Sequence, residues 1–168
     1  MAKDYNTLLI TGAAGRLGTE LRKGLVHLAE NVRVADRVEI TDLAPHEEAF
    51  VFDLADAEAV ENTVKGVDAI VHFGGAPLET AWKTILSSNI EGSYNIYEAA
   101  RRHGVKRVIY ASSVHAIGHY KLTDNIDETA PVRPDSLYGV SKCFVEALAQ
   151  FYWDKFGLES ACLRIFSS

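Results

Sequence analysis

A tyrosine and a lysine four residues apart give the first chemical signal. In "SLYGVSKCF", residues 136–144, Tyr138 and Lys142 sit where a loop gives way to an apolar-patterned segment. Positions i and i+4 of a helix share a face, so phenol and ammonium can approach a common point. A free tyrosine, with pKa about 10, makes a poor base at neutral pH. At roughly 6 Å and an effective dielectric near 20, an ammonium stabilises the phenolate by about 3 kcal/mol, or about two pK units. That is the tuning a general base needs. The plain alternative is an amphipathic pair opening a helix. Ser112 and Ser113 in the upstream "ASSVH" favour chemistry. A serine hydroxyl at the carboxyl edge of an open α/β sheet, where ligands bind, can hold the oxygen that Tyr138 would deprotonate.

A second signal lies near the start, where "TGAAGRLG" places Gly12, Gly15 and Gly18 between an apolar run and a helical pattern. There Gly12 permits a tight turn, Gly15 lets the backbone approach a pyrophosphate, and Gly18 allows close helix–strand packing. The helix N-terminus adds N–H groups and a positive dipole end. Asp36 ends the second apolar run, where a carboxylate would accept hydrogen bonds from a ribose and repel a 2′-phosphate, so NAD is favoured over NADP. Arg37 beside it pulls the other way, able to stack on adenine or pair with that phosphate. Asp53 has two readings: a contact to the adenine edge, or the N-cap of the next helix.

The elements that must position these residues alternate from end to end. "TLLIT", "VRVAD", "AFVFD", "VDAIVHF", "KRVIYASS" and "ESACLRIF" read as six strands. Between them, Leu17, Leu21, Leu25 and Leu28 fall on one face of a first helix, and "ADAEAVENTVKG" forms a short helix closed by Gly66. A helix from about Thr84 to His103 is ended by Gly104, and one starting near Tyr138 runs to Gly157. Strand–helix alternation predicts a parallel α/β fold, a doubly wound sheet of order 3-2-1-4-5-6. The near-continuous apolar character of "VDAIVHF" suits a strand buried on both faces.

Composition agrees with one globular domain: 168 residues, 48% apolar, net charge −6. The apolar runs fall short of the roughly 20 residues a membrane crossing needs, and "MAKDYNT" lacks an apolar signal core, so a cytoplasmic protein is expected. Cys143 and Cys162 show no paired-ligand spacing. His115 and His119 are four apart but flank Gly118 beyond a strand, and no metal is expected. The acidic balance disfavours nucleic acid as a partner.

Taken in order, "TGAAGRLG", Ser113 and "YGVSK" resemble the short-chain dehydrogenase/reductase superfamily in its extended, sugar-acting, epimerase/dehydratase branch. More narrowly, "LLITGAAGRLG", "FDLADAEAV", "DAIVHFGG", "YEAARRHGVKR", "ASSVHAIGHY", "RPDSLYGVSKCF" and "DKFGLES" are similar to the uronate dehydrogenases, which oxidise the anomeric carbon of a hexuronate to an aldarolactone with NAD. The resemblance implies Tyr138 as base, Lys142 on the nicotinamide ribose and Ser113 on the sugar hydroxyl. It further implies Gly12, Gly15, Arg16, Leu17, Gly18, Asp36, Asp53, Leu54 and Gly74 as cofactor contacts, with His115 and Ser167 near the substrate. It also implies a homo-oligomer formed through the helices around Tyr94 and Phe151.

The chain departs from that pattern at Val114, Pro77 and Phe166, where relatives carry asparagine, serine and glycine. Members of the family also continue for about another hundred residues that roof the substrate pocket. The expectation is therefore a Rossmann domain over residues 1–168, a nearly complete cofactor-binding sheet without the C-terminal substrate lobe. A sugar-nucleotide epimerase or dehydratase that retains its NAD shares the same residues and stands as the alternative. A dinucleotide-binding fragment or sensor without turnover is a further one.

Overall fold

The structure is a computed structural model and describes residues 3–166 of the 168. Strands β1 (Tyr5–Thr11), β2 (Ala29–Asp36), β3 (Glu47–Val51), β4 (Ala69–His72), β5 (Arg107–Ser113) and β6 (Glu159–Ile165) form one sheet of order β3-β2-β1-β4-β5-β6, every pair parallel. The doubly wound expectation holds, with the order reversing between β1 and β4.

Parallel neighbours require crossovers, and helices supply all but the one from β2 to β3, which residues 37–46 make without a helix. The helices are α1 (Arg16–Gly24), α2 (Ala57–Val64), α3 (Trp82–Thr84), α4 (Gly92–Arg102) and α5 (Leu137–Phe156). Two apolar clusters lie against the sheet. One gathers Val60, Val64, Ile96, Tyr97, Val145, Ala149 and Tyr152 from α2, α4 and α5 over Leu9, Ile70, Val108 and Tyr110. The other packs Leu8, Ile10, Val32, Val34, Ala69 and Val71, with Leu21 and Leu25 of α1 and its end lying against it. The central strands are buried on both sides, as near-continuous apolar runs demand.

Two elements differ from the periodicity. The leucine face of α1 is shorter than expected, because the helix ends at Gly24 and Leu25 caps it, leaving Leu28 in the turn before β2. Arg22 on the same helix is buried, with Nη2 2.7 Å from Glu47 of β3 and Nη1 3.0 Å from Asp42. These carboxylates raise its pKa further above the ordinary arginine value. An ion pair rather than an aliphatic contact thus ties that turn to the edge strand. The expected helix from Thr84 to His103 begins at Trp82 and is interrupted by a π-helical stretch at Ile85–Glu91 before α4 resumes. The wider turn brings Asn89 to full burial, 1% exposed.

Candidate functional site

The carboxyl ends of β1, β2, β4 and β5 open into a cleft of about 690 Å³. It runs from the glycine loop past Asp36, Asp53 and Leu54 to Gly74, Ser113, His115, Tyr138 and Lys142, so one continuous surface joins both signals read from the sequence. Arg16, Leu17 and Gly18 also line it.

The glycine end is set by backbone sterics. Gly12 has φ 70°, and a Cβ there would stand 2.6 Å from the carbonyl carbon and oxygen of Phe73. At Gly18 a Cβ would collide with the Gly12 carbonyl oxygen, so the helix could not approach the loop so closely. No side chain caps α1, whose N-cap is Gly15, and the positive end of the helix is presented to the cleft. Asp36 braces this loop: Oδ2 accepts from the Ala14 N–H at 3.0 Å and Oδ1 from the Arg37 N–H at 2.8 Å. Asp53 accepts from the Ala55 N–H at 2.9 Å and lines the cleft, while the N-cap of α2 is Asp56, which accepts from the Ala59 N–H. The capping alternative for Asp53 therefore passes to its neighbour three residues on. The loop fits a dinucleotide by the space its glycines leave and the uncapped helix end they open onto.

The tyrosine end is set by side chains. Ser136 caps α5 through the Gly139 N–H, and Glu79 Oε2 accepts from the Tyr138 N–H at 2.7 Å, so two acceptors meet the same helix start. Tyr138, Ser113 and Lys142 are all buried. Burial raises the Tyr138 pKa, and the nearby Ser113 side chain lowers it without cancelling that effect. That is opposite to the lowering expected from Lys142 alone. Lys142 Nζ donates to the Ala111 carbonyl at 2.8 Å and lies 5.2 Å from the Tyr138 ring centroid and 4.8 Å from that of Tyr110. Burial pushes the lysine itself down to about 8.

Several supporting residues lie outside the motifs read from the sequence. Asn89 Oδ1 accepts from the Ala76 N–H at 2.7 Å, while Nδ2 donates to the Ala76 carbonyl at 3.2 Å and to Ser141 Oγ at 3.1 Å. Ser141 in turn donates to the Tyr138 carbonyl at 2.6 Å, so one buried amide joins the loop after β4 to the first turn of α5. His72, fully buried, meets Thr11 Oγ1 through Nδ1 at 2.7 Å and Ser93 Oγ through Nε2 at 3.1 Å. Thr11 Oγ1 also accepts from the Gly74 N–H at 3.1 Å. A polar residue within an otherwise apolar strand was the available cue for His72. Glu146, one turn beyond Lys142 on the same face, accepts from Ser112 and from Arg164 of β6. Extending the Tyr138–Lys142 face by one turn would have found it.

Of the positions expected near the substrate, His115 and Phe166 line the cleft, as does Pro77, whereas Ser167 lies outside the described residues. Among the described residues no group of three or more His, Cys, Asp or Glu side chains is placed to hold a metal, and no described helix is long and apolar enough to cross a membrane.

The family model of the NAD dependent epimerase/dehydratase family matches residues 8–168. The chain belongs to that family. Within it, the chain is 53% identical over 165 residues to a uronate dehydrogenase of Pseudomonas putida, covering 98% of this chain and 62% of that one. A solved uronate dehydrogenase from Agrobacterium tumefaciens superposes with TM-score 0.94 at 51% identity, over 96% of this chain and 61% of that one. A mutant of the Agrobacterium enzyme complexed with NAD matches with TM-score 0.90 at 50% identity, over 92% and 58%. The chain thus spans about three fifths of the length of the curated relatives it matches.

Proposed function

We propose that this chain is the NAD-binding Rossmann part of a sugar oxidoreductase of uronate dehydrogenase type, oxidising the anomeric carbon of a hexuronate to an aldarolactone. The observation that carries the reading is the convergence of Tyr138, Ser113 and Lys142 at one end of a cleft whose other end is a glycine cradle, in a chain more than half identical to a uronate dehydrogenase. NAD, when bound, supplies the acceptor for the hydride leaving the anomeric carbon. Gly12, Gly15 and Gly18 would admit its pyrophosphate, with Asp36 on the adenosine ribose and Lys142 on the nicotinamide ribose.

The protein's own part is proton handling and orientation. Ser113, on the same cleft wall as the phenol, would hold the anomeric hydroxyl against Tyr138. Tyr138 would take the hydroxyl proton as the C–H bond breaks. Burial holds the phenol protonated, so the positive charges of Lys142 and of an oxidised nicotinamide are needed to bring it into its working range. Tyr94 and Phe151 stand exposed on α4 and α5, which supports self-association through those two helices.

The test is NADH formation at the absorbance of the reduced nicotinamide, using the chain together with any residues that follow it in its gene. Glucuronate, galacturonate and neutral aldoses are offered to wild type and Tyr138→Phe. Uronate oxidation is expected, with kcat lower by about 10³-fold in the variant and NAD affinity kept within about twofold. Unchanged turnover in Tyr138→Phe overturns the mechanism. Tightly retained NAD, no net reduction by any free sugar and interconversion of a sugar nucleotide would replace the reading with an epimerase or dehydratase. NAD binding without turnover of either kind would leave a binding protein.

A further inference from the structure

Beyond β5, Ser113 accepts from the His115 N–H at 3.2 Å and caps a single 3₁₀ turn, Val114–Ala116, that carries His115 to the cleft wall. The imidazole stands edge-on to Tyr138, with ring centroids 5.6 Å apart and planes at 76°. Its Nδ1 lies 2.9 and 3.0 Å from the two carboxylate oxygens of Asp135, in the loop before α5. The carboxylate is held in turn: Ser136 Oγ donates to it at 2.9 Å, and the Asp135 N–H reaches back to the His115 carbonyl at 3.3 Å. His115 and Ser136 draw the Asp135 pKa below its ordinary value against the opposing effect of burial.

Two glycines leave room for this contact. A Cβ at Gly118 would collide with the Asp135 carboxylate, and one at Gly139 with the His115 carbonyl. The contact therefore fills space that any other residue would occupy, which a casual surface pairing does not require.

An ionised carboxylate only accepts, so the ring nitrogen facing it must carry the hydrogen. We propose that Asp135 is a positioning residue that fixes neutral His115 in the Nδ1–H tautomer, presenting the Nε2 lone pair to the cleft as an acceptor for a sugar hydroxyl next to the one bound by Ser113 and Tyr138. Which nitrogen of a histidine accepts is set by the hydrogen bond the other makes. The assignment of the acceptor to a sugar rests on the oxidoreductase reading, whereas the tautomer does not.

Long-range ¹H–¹⁵N correlation of the ¹⁵N-labelled 168-residue chain at about pH 8, above the ordinary histidine range, reads the tautomer without any sugar. Loss of one ring's signals in His115→Gln identifies it among the six histidines. A protonated Nδ1 is expected in wild type and a shift toward Nε2–H in Asp135→Ala. A wild-type Nε2–H ring, or an unaltered ring in Asp135→Ala, overturns the proposal even if uronates are oxidised. In turnover by the longer protein, Asp135→Ala should raise the uronate KM about tenfold with NAD affinity unchanged, the size expected for a charge-assisted hydrogen bond. Asp135→Asn, which keeps an acceptor for Nδ1–H, should recover most of that loss. Asp135→Ala added to His115→Ala should cost nothing more, and a further loss would show that Asp135 acts by another route. Absence of turnover with every sugar would end the oxidoreductase reading while leaving the tautomer to the spectrum.

Discussion

At the glycine end of the cleft Gly12 sits at φ 70° with no room for a Cβ, and the contacts that shape the loop are mostly main chain to main chain. At the tyrosine end the shape comes from Asn89, Ser141, Asp135 and Glu79, side chains drawn from segments far apart in sequence. The first arrangement is set by how closely backbone segments approach, Gly12 against Phe73 beyond β4 and Gly18 against Gly12. The second exists only after the sheet and helices have assembled, and each part of it holds another. Substitution should therefore act as an all-or-none change at one end and as a graded one at the other.

Gly12→Ala tests the first half of that statement and should have the largest effect on stability. A Cβ 2.6 Å from the Phe73 carbonyl, at a positive φ, forces the loop and the end of β4 apart. A loss of about 3 kcal/mol in urea unfolding is expected, with NAD binding too weak to titrate by NADH fluorescence. Near-normal binding would break the contrast.

His72 sharpens the contrast because a side chain braces the glycine end from beneath, meeting Thr11, which accepts from the Gly74 N–H, on one side and Ser93 of α4 on the other. Burial, with the Lys142 charge second, pushes its folded pKa down from 6.5 to about 3. Between those values the unfolded chain binds a proton that the folded one refuses, so stability rises with pH across that window and falls as pH drops below 6.5. Near pH 5 the contribution amounts to about 2 kcal/mol lost relative to neutral pH. His72→Gln should flatten the unfolding free energy between about pH 7 and 5, a range above most carboxylate titration. An unchanged slope would mean that the buried ring carries no such linkage.

Glu79→Gln should give the smallest change. Its carboxylate is exposed and meets the N-terminus of α5 at the Tyr138 N–H. A loss of about 0.5–1 kcal/mol in thermal unfolding is expected, shrinking in high salt. An effect as large as that of Gly12→Ala would show the tyrosine end to be as brittle as the glycine end.

The same contrast explains what could be read in advance. Six strands, their order and the placement of Tyr138 and Lys142 on one helical face follow from periodicity and short-range spacing, and the structure has them. The pairing of Asn89 with Ala76 and Ser141, or of His115 with Asp135, has no spacing signature, because the crossovers alone decide which segments meet. The raised pKa of Tyr138 has no signature in the sequence for a related reason. Sequence gives the distance along a helix face but not the depth at which that face lies, and burial is the largest influence on the phenol.

The π-helical stretch at Ile85–Glu91 has a consequence of its own. A π turn accommodates an additional residue within a helix, so the segments before and after it are out of phase with a single α-helical repeat. Deleting one residue there would let the backbone relax into an unbroken helix with a better-matched ladder. It would also rotate the upstream turns by about 100° and swing the loop-binding amide off its partners. A more regular chain would thus be a less competent one, with the irregularity acting as a phase setting between scaffold and chemistry.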